Sequence, residues 1–134
     1  MHVDRHDLLP IAGDDDIVRV RKRVRDWAIS LGFSLVDQTK LVTAASELAR
    51  NTLIYGGGGT LTLEAGTNNG KRGLRLTFED QGPGIVDVAL ALKDGYTTGN
   101  GLGLGLSGAR RLTHDFSLTS NPGAGTRVVI ARWN

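Results

Sequence analysis

The chain has no cysteine, which excludes disulfides, thiol catalysis and cysteine-ligated zinc. No run approaches the roughly 20 apolar residues that a membrane-crossing helix needs. The opening residues MHVDRHDLLP carry Asp4 and Asp7 and lack the apolar stretch of a signal peptide. A cytoplasmic protein without a membrane association is therefore expected. Strong charge of one sign is missing too: 16 Lys and Arg stand against 14 Asp and Glu, and a net charge of +2 is too slight to argue for nucleic acid. Neither a repeat nor a linker is visible, so residues 1–134 read as one domain, large enough to bury roughly 68 to 70 % of its unfolded surface. With 40 % hydrophobic and 22 % charged residues the composition is that of an ordinary globular protein.

What the sequence does have is clear periodicity. Residues 3–11 are expected to form an edge strand. The acids DDD at 14–16 offer an N-cap and a negative first turn. Ile17, Val20, Val24, Trp27, Ala28 and Leu31 then recur at helical spacing until Gly32. SLVD at 34–37 resembles a capping box and opens a second helix running to about Tyr55, where GGGG ends it. Leu61, Leu63 and Ala65, then Leu74, Leu76 and Phe78, alternate with polar residues and predict two strands joined by a hairpin loop in GTNNGKRG. A short helix near 86–93, a glycine-punctuated segment over 95–105, a helix to about Leu112 and a second hairpin around NPGAG complete the chain. The order predicts an α+β fold, a two-layer sandwich of a mixed, mostly antiparallel sheet with helices on one face.

Three stretches carry chemistry. In SELARN, Glu47 and Asn51 are four apart and lie one turn apart on the same side of the helix, while Leu41, Ala45, Leu48 and Thr52 form a row roughly 110° away. One row can pack and the other can face a cleft, although an isolated Glu/Asn pair is ordinary on a solvated helix flank. In EDQGPGI a carboxylate at a strand end precedes Gly82 and Gly84, which leave room for a flat ligand, with Pro83 stiffening the turn. An ionised Asp80 only accepts hydrogen bonds, which suits an exocyclic amine such as that of adenine; a plain tight turn is the bland alternative. In GNGLGLGLSGARRL the glycines at 99, 101, 103 and 105 run into a helix start, whose free N–H groups and dipole favour phosphate.

Gly103, Gly105 and Gly108 also satisfy G-x-G-x-x-G, the dinucleotide fingerprint and the glycine loop of the eukaryotic-type protein kinases. Neither fits. The preceding DGYTTGN is no apolar strand, no acid follows Asp115, and the chain is too short for the separate lysine, base and metal motifs of such a kinase. No glycine is followed by Lys-Ser or Lys-Thr at Walker spacing either.

Taken in order, ELARN, DQGPGI and GLGLGL resemble the three conserved boxes of the GHKL ATPases, the group that includes gyrase, heat-shock protein 90, the histidine kinases and MutL. Within it the chain is similar over nearly its whole length to the small bacterial switch-protein kinases of the RsbT type. The resemblance implies ATP and Mg²⁺ as cofactors. Asp80 would hold the adenine amine, Gly82 and Gly84 would shape the base pocket, and Thr126 would join through a water. Gly101, Gly103 and Gly105 would line the phosphates, Asn51 would offer its amide oxygen to Mg²⁺, and Glu47 would be the catalytic base. GYTTGNGLG would form a lid with Gly95 and Gly99 as hinges; Thr97, Thr98 and Asn100 receive no individual role. The implied substrate is a serine or threonine on a STAS-domain partner, whose phosphorylation frees the kinase to activate a PP2C-type phosphatase. Anti-sigma factors of the SpoIIAB type share the boxes and give the alternative, a nucleotide-gated binding module. This sequence departs from the family in its flexible GGGG and in Ser107, where proline often stands.

Other features have plainer readings. RVRKRVR at 19–25 is expected to be a solvated helix face, with an acidic partner and nucleic acid as lesser alternatives. His2 and His6 on a strand lack the convergence that a metal site needs, and His114 has no partner motif. Arg50 can reach either phosphate or a surface carboxylate, and Trp27 and Trp133 can serve the core or a partner contact.

Overall fold

The computed structural model describes residues 1–85, 88, 92 and 102–134, and for 102–105 the backbone alone. The expected helix at 86–93, the lid, its hinge glycines and Gly101 lie largely or wholly outside these residues. The elements are β1 (His2–Ile11), α1 (Asp14–Ser30), α2 (Leu35–Ile54), β2 (Gly59–Asn68), β3 (Lys71–Asp80), α3 (Leu102–Arg111), β4 (Asp115–Ser120) and β5 (Thr126–Trp133). The sheet order is β1-β2-β3-β5-β4, and all four neighbouring pairs are antiparallel, so the expected mostly antiparallel sheet has no parallel pair among the described strands.

One set of alternating positions builds the core. Leu61 pairs with Phe78, Leu63 with Leu76 and Ala65 with Leu74; across the next seam Leu76 pairs with Ile130 and Phe78 with Val128. All of these are buried, together with Ile17, Val20, Val24 and Trp27 of α1, Leu41, Ala45 and Leu48 of α2, and Leu106 and Ala109 of α3. Truncating a fully enclosed member such as Leu76 to Ala should cost about 2 to 5 kcal/mol. The same alternation has a further consequence at the strand ends. Following Leu74, Leu76 and Phe78, position 80 falls on the helix-facing row, as does Thr126 ahead of Val128 and Ile130. Polar side chains thus stand where the core row reaches the edge of the helical layer.

Local chemistry moves several boundaries from their sequence-based positions. The N-cap of α1 is Gly13, not the DDD acids; Asp16 instead reaches back to accept from the N–H groups of Ala12 (2.8 Å) and Gly13 (3.2 Å). Ser34 caps α2 as expected, accepting from the Asp37 N–H at 3.1 Å. The Asp37 carboxylate turns away to Arg132 Nη2 at 2.7 Å. The first hairpin is tighter than its glycine-rich loop suggested: Asn68 pairs with Lys71, leaving Asn69 and Gly70, both with positive φ, as a two-residue turn. Helix α3 begins within the glycine run, at Leu102, because burying Leu106 and Ala109 outweighs the poor helix propensity of glycine. Among the described residues no helix is long and apolar enough to cross a membrane.

The remaining cues resolve simply. On α1, Arg19 pairs with Asp16, Arg23 with Asp7, and Arg25 bonds to Gln38 Oε1, so much of the basic run serves the surface of the fold. Trp27 is a core residue under the Arg5 guanidinium, 4.0 Å from its ring centroid. Trp133 is half-buried, and its indole N–H donates to Asp115. His114 Nδ1 accepts from the Trp133 N–H, a structural bond.

Candidate functional site

The C-terminal half of α2, the ends of β3 and β5, the loop after β3 and Leu106 of α3 enclose a cleft. It holds about 630 Å³ of free space, counting the open solvent at its mouth. Leu48, Phe78, Ile85, Leu106 and Val128 give it apolar walls; Asn51, Asp80 and Thr126 place polar groups among them. A mostly apolar cleft with a few convergent polar groups suits a flat heterocycle carrying a polar edge.

Asp80 and Thr126 are register partners on adjacent strands, so their side chains leave the sheet side by side, with Cβ atoms about 4.5 to 5.5 Å apart. Asp80 Oδ1 accepts from the Gly82 N–H at 2.9 Å, which fixes the carboxylate and leaves its second oxygen available. Thr126 Oγ1 lies 2.8 Å from Ser120 Oγ. Gly84, at φ +77°, lines the cleft in a backbone conformation that side chains rarely adopt, and a Cβ there would collide with the Asn121 carbonyl. Gly82 does not line the cleft. Its role is a close crossing: a Cβ on it would come within 2.7 Å of Gly56 Cα and 2.8 Å of the Gly56 carbonyl oxygen.

On α2, Asn51 lines the cleft whereas Glu47, one turn earlier and half-buried, stands beside it. The Asn51 Nδ2 atom is buried and finds no hydrogen-bond partner among the described residues. An amide held without a partner at a cleft wall is costly unless a ligand completes it. Among the described residues no three His, Cys, Asp or Glu side chains gather as a metal site. An ion held here would thus rest on the Asn51 amide oxygen and on ligand oxygens, which fits one delivered with a phosphate and largely hydrated, as Mg²⁺ prefers. Gly103 and Gly105 lie in the first turn of α3, three residues and one residue before the cleft-lining Leu106. Arg50 is exposed and borders a separate shallow groove with Val18, Arg21 and Ile54.

Three cleft features escaped the sequence reading. Tyr55 lines the wall one turn beyond Asn51 and continues the Glu47–Asn51 row, so helical spacing alone would have found it. Gly56, read there as the start of a flexible break, makes room for the site: a Cβ on it would run into the Asp80 carboxyl group. Ser120 gave no signal in the sequence, because its place depends on β4–β5 pairing.

Residues 36–133 match the family of histidine kinase-, DNA gyrase B-, and HSP90-like ATPases. The chain is 47 % identical over 118 residues to the serine/threonine-protein kinase RsbT of Bacillus subtilis (strain 168), a match spanning 88 % of this chain and 89 % of that one. Among solved structures it is similar to the RsbU and RsbW domains of Rv1364c from Mycobacterium tuberculosis, with a TM-score of 0.64 and 20 % identity. That match covers 96 % of this chain and 32 % of the longer one. It is also similar to the mycobacterial sensor histidine kinase MprB, with a TM-score of 0.55 and 20 % identity over 96 % of this chain and 97 % of that one. These last two likenesses speak to the fold. With the family match spanning residues 36–133, the chain belongs to the histidine kinase-, DNA gyrase B-, and HSP90-like ATPases.

Proposed function

We propose that this protein is a cytoplasmic, ATP-dependent serine/threonine-protein kinase that phosphorylates a hydroxyl on a STAS-domain partner and, once released, activates a PP2C-type phosphatase. The observation that carries the reading is the convergence of Asn51, Asp80 and Thr126 on one apolar cleft, in a chain 47 % identical to a serine/threonine-protein kinase. In this reading Asp80 accepts from the adenine amine while Gly84 and the apolar walls hold the ring flat. The first turn of α3, with Gly103 and Gly105, offers its N–H groups to the phosphates, and Gly101, outside the described residues, is assigned to the same role. Asn51 would hold Mg²⁺ through its amide oxygen, and the bound ion would supply charge neutralisation at the transferring phosphoryl group.

Glu47 then accepts the proton of the partner's hydroxyl as that oxygen bonds to the γ-phosphorus. The bond between the γ-phosphorus and the bridging oxygen breaks, and ADP carries away the electron pair. Positioning and charge neutralisation supply most of the acceleration in such a loose transition state, with the base adding about 10² to 10⁴. Incubation with γ-labelled ATP and a panel of STAS proteins and sigma factors tests the proposal. Label on a STAS serine or threonine supports it. Tight, stoichiometric sigma-factor binding without transfer would replace it with a nucleotide-gated binding module.

A further inference from the structure

Ser120, the last residue of β4, holds three hydrogen bonds at the rim of the cleft. Its Oγ accepts from the Ile85 N–H at 2.7 Å, lies 3.1 Å from the Gly125 carbonyl oxygen and 2.8 Å from Thr126 Oγ1. Proton counting favours one set of directions. A serine hydroxyl has one proton and two lone pairs, and a carbonyl oxygen can only accept. In this set the Ser120 proton goes to the Gly125 carbonyl at 3.1 Å, which also takes the Asn121 N–H at 3.4 Å. One lone pair takes the Ile85 N–H, and the other takes the proton of Thr126.

The consequence falls on Thr126. With its proton committed to Ser120, it presents only lone pairs to the cleft. It also cannot donate to Asp80, its register partner across the β3–β5 seam. Among the described residues the second Asp80 oxygen has no partner, and the Asp80–Thr126 edge of the cleft holds two acceptors and no side-chain donor between them. Such an edge pairs with an amino group and opposes a carbonyl at the same ring position.

We infer that Ser120 is a positioning residue for nucleotide selection: by holding the Thr126 hydroxyl as an acceptor, it makes the cleft favour a 6-aminopurine over a 6-oxopurine nucleotide. The inference rests on the purine-binding reading of the cleft. Ser120 itself touches no ligand and acts only through Thr126. Once Ser120 is removed, the Thr126 proton is free to turn to Asp80, competing with the amine, or to a 6-oxo group, which it would welcome.

The test measures ATP and inosine triphosphate affinities for the full chain and its Ser120→Ala, Thr126→Val, double and Asp80→Asn variants. Ser120→Ala should weaken ATP about tenfold, the worth of one well-placed hydrogen bond, while inosine triphosphate binds as well as before or better. In the Thr126→Val background the same change should shift ATP affinity less than about twofold, because its intermediary is gone. Ser120→Thr, which keeps the hydroxyl, should restore wild-type selectivity and serves as the folding control. Equal weakening by Ser120→Ala in both backgrounds would overturn the inference and leave Ser120 a mere anchor for Ile85. So would unchanged ATP selectivity in a variant set where Asp80→Asn does lose affinity. If Asp80→Asn binds ATP like the wild type, the purine reading of the cleft itself falls, and this inference falls with it.

Discussion

Glu47 stands one helical turn before Asn51 on α2, yet of the two only Asn51 lines the cleft. In the proposed reading the half-buried Glu47 carboxylate meets the incoming hydroxyl and not the nucleotide. Replacing Glu47 with Gln should therefore leave ATP affinity within about twofold and cut phosphoryl transfer by roughly 10² to 10⁴. Equilibrium nucleotide binding alongside single-turnover transfer separates the two effects. Equal losses in both would place Glu47 in ligand binding instead.

Asn51 offers a contrast between stability and function. Its buried Nδ2 lacks a partner among the described residues, so Asn51→Leu, close to it in shape, should stabilise the nucleotide-free protein by on the order of 1 kcal/mol, or roughly 3 to 5 °C in Tm. The same variant should lose the extra stabilisation that Mg²⁺-ATP gives over ATP with a chelator. Thermal unfolding under the three conditions checks both statements, and a drop in the free protein's Tm would show that the amide is satisfied in solution.

Two neighbouring glycines should respond differently to one added methyl group. A Cβ at Gly56 meets the Asp80 carboxyl, with Oδ2 at 2.6 Å, whereas a Cβ at Gly57 meets nothing within 4 Å but must accept φ +74°. Gly56→Ala should weaken ATP by at least about tenfold by displacing the carboxylate. Gly57→Ala should cost roughly 1 to 2 kcal/mol of stability and leave affinity near wild type. Measured together, the pair separates steric displacement of Asp80 from backbone strain.

The Asp37–Arg132 pair, joining the start of α2 to β5, sets an acid limit on the fold. The Arg132 hydrogen bond holds the Asp37 carboxyl below its ordinary value of 3.8; desolvation opposes it, and the guanidinium charge adds a lesser lowering. A depressed folded-state pKa means that the stabilisation is complete above the unfolded value and disappears as pH falls through the folded one. Asp37→Asn should therefore lower Tm at neutral pH, with the gap to wild type closing below about pH 4 and unchanged on the alkaline side. A gap that does not narrow at all as pH falls from neutral into the acid range would mean that the ionic pairing contributes little.

Much of the site could be read from residue order because its ingredients are local. An acid closing an alternating strand, two polar residues four apart on a helix and glycines entering a helix each keep their meaning without tertiary knowledge. Ser120 and Gly56 do not. Ser120 matters because β4–β5 pairing brings it beside Thr126 and Ile85, and Gly56 matters because the chain leaving α2 crosses the end of β3. The start of α3 was misplaced for a related reason. Glycines at 103 and 105 disfavour a helix locally, and only the burial of Leu106 and Ala109 reverses that preference.

The loop after β3 is fastened to the β4–β5 turn by the Gly123 N–H, which donates to the Pro83 carbonyl at 2.7 Å, and by Ser120 beneath Ile85. These ties lie wholly within the protein, so the base end of the proposed nucleotide site is built before any ligand arrives, and filling it should cost little chain entropy.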